Sequence, residues 1–275
     1  MKDNNNWNTE IENPLEGREI RSDKSGLTMV LDKGLGLNTF EDILNTAGEY
    51  INYLKLSFGT SFIYPLDIIK KKIKMVKEYN IDIYPGGTLF EIAFNQNKVN
   101  EYLFRAKQLG FTAVEISDGV VFYGNNVRKN MINKARELGL KVLTEVGKKD
   151  NQFTLSSKEI ISQIRNDISN GAHKVIIEAR ESGKDISIYD KEGSIDINVF
   201  EKIIKSIQDN KDMIIWEAPL KKQQLFYINN IGNNVNLGNI KPEEVIALEA
   251  LRRGLRGDTF KNVLNKNMAQ SSVSN

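Results

Sequence analysis

Apolar residues in this chain come in short runs that each stop at an ionisable or glycine-bearing cluster: LTMVLDKG at 27–34, AVEISDG at 113–119, KVLTEVGK at 141–148, KVIIEARE at 174–181 and MIIWEAP at 213–219. Runs of this length, rich in β-branched residues, read as strands covered on both faces. Ionised carboxylates almost never sit unpaired inside a closed core. The recurrence therefore implies strand ends that converge on one polar pocket.

Eight strands are predicted, near 28–32, 52–57, 81–84, 112–117, 140–145, 174–178, 213–217 and 234–238. Between and after them, helical periodicity predicts helices near 39–50, 65–79, 98–109, 126–138, 157–170, 198–209, 220–230 and 242–253. Ser156-Ser157 ahead of Glu159 reads as a helix N-cap with an acidic first turn. Gly110, Gly139 and Gly171 each stand where a helix would end in a left-handed residue. Eight strand–helix units in one run predict a parallel sheet, and eight is the number that closes, so the expected fold is an α/β TIM (β/α)8 barrel. A dinucleotide fold would place G-x-G-x-x-G after its first strand, and this chain has none there. Residues 1–25, polar and carrying Pro14 and Gly17, are expected to form an extended or partly disordered N-terminal arm. The barrel domain is expected over 26–262 and a frayed C-terminal tail over 263–275.

Composition narrows the chemistry. A chain of 275 residues is long enough for one barrel, and it contains no cysteine and a single histidine, His173. Disulfides, thiolate catalysis and multi-histidine metal sites are thereby excluded. His173 falls just before a strand, where a turn or edge role is expected. No apolar run approaches twenty residues and no secretory pattern opens the chain, so no membrane partner is expected and the cytoplasm is the expected compartment. With 38 basic and 36 acidic side chains the net charge is +2, too small a field to steer nucleic acid. Lys70, Lys71, Lys72, Lys74 and Lys77 alternate with Ile68, Ile69, Ile73 and Val76 and read as the solvated face of a helix. Apolar helix faces and the N-terminal arm are compatible with a homo-oligomer.

In a barrel the C-terminal strand ends build the active site. Those ends carry Asp32-Lys33-Gly34, Lys55 with Ser57, Gly86-Gly87-Thr88 with Glu91, Glu115 with Ser117 and Asp118, Glu145 with Lys148, Glu178 with Arg180 and Glu181, Glu217, and Asn236 to Asn239. Carboxylates crowded in one pocket repel unless cations sit among them. Lys55, Lys148 and Arg180 supply protein cations, and a hard divalent ion would supply the rest. Oxygen donors without histidine or cysteine favour Mg2+ over zinc. The glycine-rich loops at 58–61 and 85–88 either cradle an anion with backbone N–H groups and hydroxyls such as Ser57 and Thr88, or are tight turns only. Arg252, Arg253 and Arg256 either reach an anion over a barrel mouth or pair at a helix end or subunit interface.

DKGLG at 32–36, LKLSFGTS at 54–61, YPGGTLFE at 84–91, VEISDG at 114–119, IIEARESG at 176–183, IIWEAP at 214–219, VNLGNI at 235–240 and LRRGLRGDT at 251–259 together resemble the phosphosulfolactate synthase family. The resemblance spans about 28 to 260. It implies a TIM barrel that adds sulfite to phosphoenolpyruvate with Mg2+, giving (2R)-phospho-3-sulfolactate, so the expected partners are a small phosphorylated anion and sulfite. On that resemblance Lys148, in the EVGK segment, is the expected proton donor, and Lys33 and Lys55 are expected to hold sulfite. Arg180, Gly238 and Asn239 are the expected phosphate ligands, with Asp32, Glu115, Glu145 and Glu178 as metal candidates. Two alternatives stand beside it. One is a Mg2+-dependent lyase or aldolase acting on another phosphorylated enolisable acid, in which Lys148 could form a Schiff base. The other is a non-catalytic relative with a protein-interaction role.

Overall fold

The computed structural model describes residues 11–148, 155–186 and 188–273, with side chains to 265. Its sheet has eight strands, β1 (Thr28–Asp32), β2 (Tyr53–Leu56), β3 (Asp82–Pro85), β4 (Ala113–Ile116), β5 (Lys141–Val146), β6 (Lys174–Ile177), β7 (Ile214–Glu217) and β8 (Leu237–Ile240). Every paired neighbour is parallel, in the order β3-β2-β1-β8-β7-β6-β5-β4. The first strand therefore pairs with the last. At the remaining seam Thr112 N donates to Ile83 O at 3.2 Å, and Thr112 Oγ1 accepts from Ile83 N at 3.0 Å. The result is the expected TIM barrel, nearly closed, with helices outside.

Helices Leu37–Ala47, Leu66–Glu78, Val99–Leu109, Asn125–Glu137, Ser157–Ser169, Ile197–Ser206, Lys221–Asn230 and Val245–Arg252 match the eight expected, with ends displaced by a few residues. Their boundaries have local causes. Ser156 Oγ accepts from Glu159 N while Glu159 Oε2 accepts from Ser156 N, a closed capping box. Gly110, Gly139 and Gly171 take φ of 95°, 70° and 92°, the left-handed helix ending that their positions predict. Three differences stand out. Gly87–Asn95 is a helix where only a glycine-rich turn was expected, because Phe90 and Ala93 give it a buried face. Strand β8 starts three residues after its expected place; the Asn236 amide instead binds Leu27 N and the carbonyls of Lys24, Asp212 and Ile214. A helix Gly257–Val273 continues across the expected start of the tail.

Alternation sorts each strand. Met29, Tyr53, Tyr84, Ala113, Leu143, Ile176 and Ile215, with Leu27, fill the barrel interior. Val30, Leu54, Ile83, Val114, Val142, Val175, Ile177 and Trp216 face the helices. Burying one such side chain contributes about 1.5–3 kcal/mol, so the interior layer is a packed plug and not a channel. It separates the barrel into a base and a mouth.

Residues 1–10 of the expected arm lie outside the described residues; its described part folds under the strands at the base, with Leu15 N donating to Arg253 O. Arg18 Nη2 lies 2.9 Å from Glu249 Oε2, and Arg253 Nε lies 2.9 Å from Glu249 Oε1, all buried. Arg252 donates to Asn233 O, Val235 O and Leu27 O at 2.6, 2.7 and 3.2 Å. Of the two roles open to Arg252 and Arg253, internal pairing is the one observed. His173 also belongs here, its N–H donating to Val142 O at the start of β6. In the lysine-rich helix Leu66–Glu78, Lys70, Lys71, Lys74 and Lys77 are solvated as expected, but Lys72 is fully buried.

Candidate active site

Strand parity carries the interior layer upward into charge. Above Tyr53 comes Lys55 and then Ser57; above Ala113, Leu143, Ile176 and Ile215 come Glu115, Glu145, Glu178 and Glu217. These residues line a cavity of about 470 Å³ at the mouth, together with Leu31, Phe58, Thr88, Arg180, Glu181 and Asn239. Lys55 Nζ sits 3.0 Å from Glu115 Oε2, 3.3 Å from Glu145 Oε2 and 3.5 Å from Glu217 Oε1. Burial opposes its charge, but the three carboxylates outweigh burial and hold its pKa well above that of an ordinary lysine. Lys55 is an ammonium at any physiological pH.

Backbone groups aim the carboxylates. Gly87 N donates to Glu115 Oε1 at 2.8 Å, Ala179 N to Glu217 Oε2 at 2.9 Å, and Arg180 N to Glu178 Oε1 at 2.5 Å. Gly147, at φ 140°, is where a Cβ would stand 2.6 Å from Glu178 Cβ, so glycine there leaves Glu178 its course into the cavity. Carboxylate oxygens of Glu145, Glu178 and Glu217 lie within 4.8 Å of one another. Octahedral Mg2+, with bonds of about 2.1 Å, needs oxygens roughly 3–4 Å apart, so oxygens gathered within 4.8 Å can meet on one ion with small side-chain shifts. The donor chemistry fits a hard divalent ion.

The rim is built from strained backbone. Phe58, Arg180 and Asn239 each hold φ of 54°, a conformation that costs a non-glycine residue about 1 kcal/mol or more and tends to collect at ligand sites. Arg180 is clamped on both sides, its N–H on Glu178 and its carbonyl accepting from Asn239 Nδ2 at 3.1 Å. Its guanidinium makes no ion pair among the described residues. Ser57 Oγ and Asn239 Oδ1 are buried on the cavity wall with no hydrogen-bond partner among the described residues, as are the hydroxyls of Thr60 and Ser61 in the adjoining loop. A buried polar atom left so costs about 1–3 kcal/mol, which a bound polar ligand would relieve.

Four expected site residues lie off the cavity wall. Asp32 shares the outward parity of Val30. Its Oδ1 accepts from Gly34 N and Leu35 N at 2.8 Å, and its Oδ2 meets Lys72 Nζ at 2.5 Å. Lys72 in turn lies 4.7 Å from the Phe40 ring centre and 4.5 Å from that of Tyr64, and burial lowers its pKa against the pull of Asp32. Asp32 thus shapes the loop after β1 and is off the cavity wall. Gly238 belongs to the interior layer, over Met29 and Ile215. Lys148 stands beside the cavity, its Nζ donating to Asp118 O and Oδ2 at 2.7 and 2.8 Å and lying 4.4 Å from the Phe122 ring centre. Lys33 is at the rim, 2.5 Å from Glu181 Oε1.

Sequence reasoning passed over two participants. Glu217 was read at a strand end but left out of the metal candidates; its shared parity with Ile215 in MIIWE was the available signal. Arg128 gave no signal, since it looks like any charged helix residue. It is buried, donating to Asp167 Oδ1 and Oδ2 at 2.7 Å, Asp118 Oδ1 at 3.3 Å and Glu145 O at 2.9 Å. One guanidinium thereby ties the ends of β4 and β5 to helix Ser157–Ser169.

Fold and site together define a (β/α)8-barrel enzyme whose mouth holds a buried lysine inside a ring of carboxylates. The chain belongs to the (2R)-phospho-3-sulfolactate synthase (ComA) family, whose pattern matches residues 16–258. It is 48% identical over 242 residues to the phosphosulfolactate synthase of Methanocaldococcus jannaschii, covering 86% of this chain and 95% of that one. It is 39% identical over 252 residues to the protein of the same name from Bacillus subtilis, covering 91% and 97%. Among solved structures, the YdjI aldolase of Escherichia coli K12 superposes with a TM-score of 0.55 at 10% identity, over 88% of this chain and 90% of that one. That last likeness shows the fold alone. Among the described residues no helix is long and apolar enough to cross a membrane.

Proposed function

We propose that this protein adds sulfite to phosphoenolpyruvate with Mg2+ as cofactor, forming (2R)-phospho-3-sulfolactate. The observation that carries the reading is the convergence of Glu145, Glu178 and Glu217 on one cavity, in a chain whose relatives carry that enzyme's name. Four inward carboxylates facing one lysine would repel an anionic substrate unless a further cation stood between them. When bound there, Mg2+ would neutralise the substrate carboxylate and make the alkene a better acceptor. The sulfur lone pair of sulfite then forms the bond to C3, the π electrons withdraw toward C2 and the carboxylate, and a proton completes C2.

This chain's side chains divide the remaining work. Lys55, bound by three carboxylates that keep it charged, holds the acidic cluster together and is a poor proton donor. Lys148 has one carboxylate partner among the described residues, Asp118, and turns from it to deliver the proton to one face of C2. Arg180, with Asn239, Ser57 and Thr88 on the same wall, receives the phosphate. Lys33 at the rim receives sulfite.

Incubation with phosphoenolpyruvate, sulfite and Mg2+, read by mass spectrometry, tests the reading. Phosphosulfolactate is expected with metal and not after chelation, and Lys148→Ala is expected to lower turnover by about 10²–10⁴-fold with the fold intact. Product formation indifferent to the chelator would remove Mg2+ from the scheme, and near-normal turnover in the variant would remove Lys148 from its role.

A further inference from the structure

Lys33 and Glu181 meet across the cavity mouth from the loops after β1 and β6, strands that are not neighbours in the sheet. We propose that Glu181 is a specificity-determining place-holder: its carboxylate occupies, on Lys33, the position that a substrate oxyanion takes, and it yields that position only to an anion of higher charge. The naming of that oxyanion as sulfite rests on the function proposed above.

The pair is unlike the buried pairs of the base. Its side chains keep 38% and 45% of their exposure, whereas those of Arg18 and Glu249 keep 4% and 5%. An exposed pair shifts an equilibrium by at most ~5-fold, so this one adds little to the fold and is readily exchanged. Its location supplies the reason for its presence. Glu181 lies on the cavity wall beside Arg180, and the Lys33 ammonium stands 5.9 Å from the centre of the Phe58 ring, also on that wall. Arg180 is held by backbone bonds at both its N–H and its carbonyl, so the segment that carries Glu181 is fixed at the rim.

A fifth carboxylate beside Glu115, Glu145, Glu178 and Glu217 works against an anionic substrate unless something neutralises it. Lys33 does so while the site is empty of anion, and Glu181 equally masks Lys33 from weak anions. A carboxylate ligand gains nothing by replacing a carboxylate. A compact dianion such as sulfite gains the difference in charge, and the displaced Glu181 turns to solvent.

Sulfate, an unreactive dianion of similar size, is the probe. Its binding is measured by calorimetry on the wild type, Glu181→Gln, Lys33→Ala and the double variant; both positions are exposed, and replacement leaves the folded state in place. Glu181→Gln is expected to tighten sulfate by about 2- to 5-fold, and the gain is expected to vanish when Lys33 is already alanine. Unchanged or weaker binding in Glu181→Gln would overturn the proposal. So would an equal gain in both backgrounds, which would mark a general field effect instead of masking. Sulfate titration gives its answer whether or not phosphosulfolactate is formed, so failure here and failure of the proposed reaction remain distinguishable.

Discussion

At the base of the barrel, Glu249 is gripped by Arg18 and Arg253, and Arg252 donates to three carbonyls. At the mouth, one lysine faces three carboxylates, a fourth stands beside it, and three non-glycine rim residues hold left-handed backbone. Both ends bury charge in similar depth. The base matches each charge with a partner of opposite sign or a set of oxygens, whereas the mouth concentrates one sign. Matched charge serves the fold. Concentrated charge destabilises the empty protein and is retained where a ligand of opposite sign completes it.

The contrast can be broken from either end. The largest expected effect is at the base: Glu249→Leu strands two buried guanidinium groups and should lower unfolding free energy by about 3–5 kcal/mol in urea titration, with turnover per folded molecule unchanged. Should activity fall with stability only slightly reduced, the base would not be the structural end. At the mouth, Glu217→Gln should do the reverse. Turnover is expected to fall about 10²-fold while the melting temperature holds or rises, because one of the crowded negative charges is gone; a lower melting temperature would mean that the cluster stabilises the fold.

The smallest effect is a pH slope at the base. The Lys174 ammonium donates to the carbonyls of Lys24 and Asp212, and burial, opposed by the Asp212 and Asp23 carboxylates and aided by Lys141, pushes its pKa down to about 8 from 10.5. Between those two values the unfolded chain keeps a proton that the folded protein has released, so this residue's contribution to stability rises with pH through the window. Lys174→Met should flatten that rise, a difference of at most about 2 kcal/mol between pH 8 and 10 in paired urea titrations, and smaller to the extent that solvent screens the site. An identical pH dependence in the two proteins would show Lys174 fully compensated by its carbonyls.

The eight strands and their order were legible because each element is short, apolar and punctuated by a glycine or a cap. So were Lys55, Glu115, Glu145 and Glu178, whose strand ends carry charge in step with the interior parity. Asp32 shows where that reading fails. In TMVLD every neighbour is apolar, so nothing in the run tells one face from the other, and its partner Lys72 lies forty residues on, among lysines that do face water. Arg128 was hidden for the related reason that its four acceptors come from three separate segments. Local pattern reports which residues alternate; it does not report which distant charge an ion pair will choose.

The clasp at the base also orders events during synthesis. Arg18 is made 216 residues before its partner Asn234 and 231 before its partner Glu249, and β1 receives its β8 neighbour only then. For most of translation, therefore, the first strand leaves the ribosome with one edge bare, a surface open to pairing with other chains. Closure of the ring between β1 and β8, and the clasp on Arg18, both wait for residues made more than two hundred positions later.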